Sequence, residues 1–227
     1  MKTLSLCLLL FAATAWPQTN TATYYVGFLR PNPARQPLAK DEGERIQAAH
    51  MANILKMADE GHLVSAGPFG DTTTTISGIF VLKAASLEEA TRIANQDPTV
   101  IEHRNTIDVH QWLGPAGIGD EYFRLHKADP KTPEDMGAHP LVIFYPGPNW
   151  KPGSEAVSES VATLRKAGKL AAAGVIEGND NMKALLIFNR IPAPKEIQVI
   201  ENLPAVKAGI LKPEHHIFYS SSHVFPW

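Results

Sequence analysis

The sequence predicts an α+β protein in which two βαββαβ units follow each other and pack sheet to sheet within one chain. Two observations lead to this prediction. Between residues 23 and 113, runs of β-branched and aromatic residues alternate with two amphipathic stretches, in the order strand, helix, strand, strand, helix, strand. Part of this pattern, GHLVSAG at 61–67, returns as GKLAAAG at 168–174, 107 residues later. Each unit then has the ferredoxin-like arrangement, whose open, apolar sheet face needs a partner, so we expect an intrachain pseudo-dimer.

Composition limits the kind of protein this is. The 227 residues suffice for two small domains, and 44% hydrophobic with 19% charged residues is typical of a globular chain. The net charge of −2 and the absence of a basic stripe argue against a nucleic-acid partner. No glycine-rich phosphate loop and no GxSxG motif occurs, so the sequence predicts no cofactor.

The N-terminus predicts a secretory signal peptide at residues 1–18. Lys2 precedes the apolar run LSLCLLLFAATA, and small residues at Ala13 and Ala15 suit a cleavage site. The run is too short to span a bilayer comfortably. We therefore expect a secreted or periplasmic protein that has no membrane segment after processing and has lost its only cysteine, Cys7.

The first unit, residues 23–113, is expected to begin with a strand at 24–29, followed by a proline-rich loop. An amphipathic helix follows, with its apolar face on Ile46, Ala49, Ile54, Leu55 and Ala58, and it ends at Gly61. Strands are predicted at 63–66 and 79–82, and a helix capped by Ser86 runs to about Asn95. The last strand, 106–112, alternates as a half-buried edge strand would.

Two polar residues stand out in this unit as candidate catalytic residues. His50 lies beside the apolar face of the first helix, and Asp71 follows the Gly67-Pro68 break at the end of a strand. A carboxylate that fixes the tautomer of an imidazole allows general acid–base catalysis. The alternative is that His50 is an ordinary core histidine and Asp71 a turn residue.

The order of these residues resembles the YCII family of YciI-like proteins. The similarity rests on His50, on the run 61–68 with Leu63 and Ala66-Gly67-Pro68, on Asp71, on SLEEA at 86–90 and on Asp97-Pro98. The resemblance implies the ferredoxin-like fold of the dimeric α/β barrels. It also implies a site at His50 and Asp71, as in lactone-isomerase and dehalogenase relatives.

A connector at residues 114–139 and a second, degenerate unit at 140–225 complete the predicted organisation. At the 107-residue offset, His50 falls on Val157 and Asp71 on Gly178. Asp180 and Glu177 lie nearby, but no histidine of the helix can partner them. We therefore expect the second unit to be a structural partner.

Several other polar residues are candidates for binding a small molecule or a metal ion. Arg30 could bind an anion but is expected to be solvated in its proline-rich loop, and Ser65 with Tyr24 or Tyr25 could line the sheet. The Asp97-Pro98 pair is interpreted first as a helix stop. Metal binding is not predicted, because the adjacent His215 and His216 would point to opposite faces of a strand and no thiolate survives processing.

Two functions remain open on these grounds. The first is an exported enzyme in which His50, oriented by Asp71, moves a proton in a small cyclic or aromatic molecule, as an isomerase, lyase or dehalogenase would. The second is a non-catalytic exported protein that binds a small molecule or serves as a scaffold. The sequence leaves the substrate, and any oligomerisation beyond the intrachain pair, undetermined.

Overall fold

The computed structural model describes residues 20–70, 75–178, 181–190 and 193–227. The predicted signal segment and Asp71 lie outside these residues. The first unit has seven elements, in the order β1 (Thr21–Pro31), α1 (Lys40–Asp59), β2 (Leu63–Pro68), β3 (Gly78–Leu82), α2 (Leu87–Ala94), α3 (Pro98–Ile101) and β4 (Asn105–Pro115). After α4 (Asp120–Ala128), the second unit repeats the order with β5 (Met136–Pro146), α5 (Ala156–Lys166), β6 (Leu170–Glu177), β7 (Ala184–Phe188), α6 (Ala193–Glu201), α7 (Pro204–Lys207) and β8 (Leu211–Ser221).

The eight strands of the described residues form one antiparallel sheet in the order β2-β3-β1-β4-β6-β7-β5-β8. Its two end strands meet, because Phe69, just beyond β2, bridges to Phe218 of β8 and the N–H of Gly70 donates to the carbonyl of Ile217 at 2.8 Å. The sheet therefore curls into a barrel in which the two four-stranded halves face each other. The predicted α+β fold of two ferredoxin-like units packed sheet to sheet is confirmed.

The prediction that the last strand of the first unit is an edge strand was wrong. β4 pairs with β1 along its whole length and with β6 through Gln111–Glu177, Trp112–Ile176 and Leu113–Val175. Trp112 is fully buried inside the barrel. The alternation of this strand reflects one face toward the barrel interior and one toward the helices, so its polar residues do not mark an edge.

Two glycines of the repeated segment lie where the units join. A Cβ on Gly67 would overlap the carbonyl oxygen of Tyr219 in β8, and a Cβ on Gly174 would overlap that of Leu113 in β4. Only glycine lets the two backbones approach this closely. The recurrence of glycine at this offset therefore follows from the two junctions between the units.

The core has three parts. The largest cluster fills the barrel with side chains from both units, among them Tyr24, Trp112, Leu141 and Phe218. The helices of each unit cover the outer face of its own half-sheet and enclose a smaller cluster. Tyr24 thus faces the barrel interior, whereas Tyr25 faces the helices.

The apolar face of α1 differs from the prediction. Ile46 and Met57 are buried, whereas Leu55 is 65% exposed. Gly61, with a φ of 76°, follows the helix as expected. Ser86 also caps α2 as predicted, by accepting a hydrogen bond from the N–H of Glu89 at 3.1 Å.

The stretch between the units is largely structured. Helix α4 packs Tyr122 and Phe123 against the barrel core, and β4 and β5 extend into the two ends of the expected connector because their ladders with β1 and β8 continue there. Within the described part of the chain, none of the helices combines the length and apolarity needed to cross a bilayer.

Candidate active site

His50 and Asp97 are each positioned by the helix to which they belong. His50 lies in the middle of α1, on the side that faces the sheet, where its ring stacks on Phe80 of β3 at 6.0 Å between centroids and 20° between planes. Asp97 is the N-cap of α3, with Pro98 at the first helical position. Its carboxylate accepts the N–H of Thr99 at 2.9 Å, as an N-cap side chain does.

His50 and Asp97 form a direct pair. The Nδ1 of His50 lies 2.7 Å from Oδ2 of Asp97, whose side chain is 0% exposed, against 15% for His50. Asn53 also donates to Oδ2, at 3.3 Å, and the hydroxyl of Thr99 donates to Oδ1 at 2.5 Å. The buried carboxylate therefore accepts four hydrogen bonds from three side chains and one backbone amide.

The electrostatics of this carboxylate follow from those contacts. Burial by itself would raise the pKa of Asp97, but the hydrogen bonds from His50 and Thr99 outweigh it and hold the pKa below the ordinary value. The carboxylate is thus ionised at neutral pH and can only accept hydrogen bonds. The Nδ1 of His50 must then carry the proton, which leaves Nε2 as the basic nitrogen of the neutral ring.

A cleft of about 360 Å³, with His50 among its lining residues, opens between α1 and the β2–β3 side of the sheet. Its described lining includes apolar side chains such as Leu29, Ile54, Phe80 and Met136, of which Met136 comes from the second unit. The polar lining consists of His50, Gln47, Ser77, Thr99 and Asn105. No Asp, Glu, Lys or Arg belongs to the lining residues that the structure describes, so the cleft suits a small uncharged molecule.

Comparison with known proteins places this geometry in a family. The family model of the YCII-related domain matches residues 23–111, which is the first unit without the first two residues of β1 and the last four of β4. The uncharacterized protein YjpA of Bacillus subtilis (strain 168) is 34% identical over 65 residues, which are 29% of this chain and 73% of YjpA. The chain belongs to the YCII-related family. The resemblance seen in the sequence is therefore confirmed. His50, Asp97 and the described lining of the cleft, apart from Met136, lie within the matched residues.

Solved structures support the two-unit fold. A mutant chlorite dismutase from Candidatus Nitrospira defluvii matches with a TM-score of 0.57 at 8% identity, over 90% of this chain and 92% of that one. A heme-binding protein from Thermus thermophilus matches with a TM-score of 0.51 at 12% identity, over 91% of this chain and 96% of that one. At such identities the similarity shows the fold alone.

Of the two predicted catalytic residues of this YCII-related protein, the structure describes His50, which lines the cleft. Asp71 lies outside the described residues, so its pairing with His50 stays a prediction. Sequence reasoning missed Asp97, which it interpreted as a helix stop. Comparison of the units could have found it, because the second unit has the buried Val157 at the position of His50 and Leu203 at that of Asp97, and both changes replace a polar by an apolar residue.

The other candidates lie elsewhere. Arg30 belongs to β1 and not to a loop; its guanidinium donates to Thr75 at 3.2 Å and also contacts Tyr145 of the second unit. Ser65 is buried near Ser220 across the junction of the units, at 3.5 Å between hydroxyls. Neither residue lines the His50 cleft.

The adjacent histidines of β8 point to opposite faces, as expected from their spacing. His216 faces the barrel interior, with its ring tilted by 31° to that of Phe69 at 4.6 Å between centroids, while His215 faces α6 and contacts Glu196 at 3.2 Å. Among the residues that the structure describes, no three His, Cys, Asp or Glu side chains converge as metal ligands would.

Proposed function

We propose that this YCII-related protein is an enzyme that moves a proton within a small, uncharged cyclic or aromatic molecule, with His50 as general base and then general acid. Nε2 of His50 would take a proton from a C–H or O–H group of the substrate. It would then return that proton to another atom, which completes an isomerisation, or to a departing group, which completes an elimination. Asp97 would hold the ring and stabilise the imidazolium that forms in between. The observation that carries the proposal is the 2.7 Å bond from Nδ1 to a fully buried carboxylate beside the cleft.

The residues that line the cleft support a small, uncharged substrate. The described residues of the cleft offer apolar surface and neutral hydrogen-bonding groups but no cation, which argues against a phosphate or carboxylate substrate. The ring of Phe80, nearly parallel to that of His50, provides a flat wall for a planar ligand. Asp71 stays in the proposal as a second acidic candidate, on the ground of the family motif.

The test is a turnover screen of lactones, halogenated phenols and related cyclic compounds with the wild-type protein and with His50→Ala. We expect the variant to lose about a hundredfold or more of kcat, the usual contribution of a positioned acid–base group. His62→Ala is a matched control, because His62 follows α1 in sequence but does not line the cleft. Ligands that bind but are never converted by the wild-type protein would contradict the enzyme and support the binding-protein alternative.

Export is a further part of the proposal and rests on the sequence pattern of residues 1–18 alone. The expected result is a mature chain that begins after Ala15 and is recovered outside the cytoplasm, detected by N-terminal sequencing. A full-length chain that begins at Met1 would contradict it.

A further inference from the structure

The ionised Asp97 determines the direction of every hydrogen bond around it. Because this carboxylate can only accept, the hydroxyl of Thr99, 2.5 Å from Oδ1, must give its single proton to it. The oxygen of Thr99 is then left with lone pairs only. Whatever contacts Thr99 from the other side has to be a donor.

Asn105 is the group on that other side. It is the first residue of β4, and its side-chain amide lies 3.0 Å from the Thr99 hydroxyl oxygen. Since Thr99 has no proton left, the amide must turn its NH2 toward Thr99, and its carbonyl oxygen faces away. Asn105 lines the cleft, and within the described residues the hydrogen bond of its side chain is this one to Thr99.

The same reasoning applies to His50. Nδ1 gives its proton to Asp97, so Nε2 is an acceptor when the ring is neutral. One buried carboxylate thus accepts hydrogen bonds from Nδ1 of His50 and from the Thr99 hydroxyl. This leaves two acceptors, Nε2 of His50 and Oδ1 of Asn105, on two residues that line one cleft.

We propose that Asn105 is a ligand-binding and specificity-determining residue, and that the cleft selects small neutral ring compounds carrying two hydrogen-bond donors, such as hydroxyl groups. This inference rests on the proposed function in that it uses the same cleft. It adds that one donor of the ligand meets His50 and the other meets Asn105. An ether or ketone of the same shape has only acceptors and leaves both protein acceptors unpaired, which is costly in a largely apolar cleft.

The test uses binding and not turnover. Catechol, resorcinol and hydroquinone place two hydroxyls at three separations on one ring, and the dimethyl ether of each keeps the ring but removes the donors. Their affinities for the full chain are measured by titration, with amide chemical shifts of residues around the cleft showing where each probe binds. We expect at least one diol to bind in the cleft about ten- to hundredfold more tightly than its ether, the effect of two neutral hydrogen bonds, one to His50 and one to Asn105.

The variant Asn105→Ala tests whether Asn105 is the residue that binds the second donor of the ligand. It should weaken the preferred diol about three- to tenfold, the effect of one neutral hydrogen bond, and leave the affinity of the ether unchanged, because the ether makes no hydrogen bond to Asn105. Asn202→Ala, which removes an exposed amide bonded only to the carbonyl of Gln198 in α6, is the matched control and should leave both affinities unchanged.

Three results would overturn the inference: equal affinity of the wild-type protein for diols and ethers, shifts that map outside the cleft, or an unchanged diol preference in Asn105→Ala. The comparison in the wild-type protein holds even if a variant fails to fold. A diol preference without any turnover would contradict the proposed enzyme but keep the inference. If turnover depends on His50 but ethers bind as tightly as diols, the proposed enzyme is kept and the inference about Asn105 is contradicted.

Discussion

At the scale of single residues, Asp97 determines the polarity of the candidate site. It is fully buried yet satisfied by four donors, so its charge costs little and its neighbours have fixed hydrogen positions. The sequence favoured a helix stop at Asp97-Pro98, since nothing local indicates that an imidazole from a helix 47 residues earlier will reach the carboxylate of Asp97.

Asp97→Asn should destabilise the protein at neutral pH by about 1–3 kcal/mol, because the amide has one acceptor where four donors converge. Because the folded-state pKa of Asp97 lies below its ordinary value of 3.8, its stabilising contribution is complete above that pH and is lost as the pH falls through the folded pKa. Urea unfolding between pH 7 and pH 2 should therefore show the variant and wild-type curves converging below about pH 4. Asp59→Asn, at an exposed position at the end of α1, is the control; curves that stay parallel to pH 2 would show that the carboxylate is not stabilised as inferred.

At the scale of elements, each unit has one polar pair, and it lies where the other unit has apolar residues. The N-caps Asp97 and Leu203 are equivalent with an offset of 106, and the same offset places Ala90 on Glu196 and Val109 on His215. The first unit is thus polar between α1 and α3 and apolar between α2 and β4. In the second unit, Glu196 of α6, 2% exposed, contacts His215 of β8 instead.

This second pair should make stability fall at alkaline pH. The hydrogen bond from His215 to Glu196 outweighs burial and raises the pKa of His215, with Glu201 adding to it. The contribution is therefore complete below the ordinary pKa of 6.5 and is lost as the pH rises through the higher folded value. We expect the free energy of unfolding, measured in urea between pH 5 and pH 9, to decrease over that window.

Substitutions that give Glu196 and His215 the apolar residues of the first unit test the origin of this pH dependence of stability. His215→Val alone should destabilise by about 1–3 kcal/mol, because it leaves the buried carboxylate of Glu196 without its partner. The double change Glu196→Ala with His215→Val should recover most of that loss and lower the pH dependence, since apolar replacements of buried pairs are often neutral. A double variant with the wild-type pH profile would assign the dependence to other groups.

At the scale of the whole molecule, the barrel depends on two junctions between the units, β2 with β8 and β4 with β6. Each junction has a glycine at which a side chain would overlap the backbone of the other unit. The β2 junction also forms a wall of the cleft, to which Met136 of the second unit contributes. The second unit therefore shapes the candidate site although it lacks the pair.

Gly174→Ala should destabilise the protein by about 1–3 kcal/mol, because the β4–β6 junction has no room for a methyl group. Gly43→Ala is the matched control, because Gly43 lies within α1 with open space where its Cβ would be, and this change should stabilise by about 0.5–1 kcal/mol. Both effects are measured by urea unfolding, and a Gly174→Ala protein as stable as the wild type would show that the junction is looser than described.

The sequence by itself determined the family, the strand and helix order, and His50 as a candidate, since period, capping and turn signals act over a few residues. It also predicted that the sheets would meet, because an apolar open face has to be covered. The tertiary structure decided which carboxylate reaches His50, that β4 is an inner strand, and that Met136 borders the cleft. Those features join residues far apart in the chain, and only the packing of α1, α3 and the two barrel junctions brings them within contact distance.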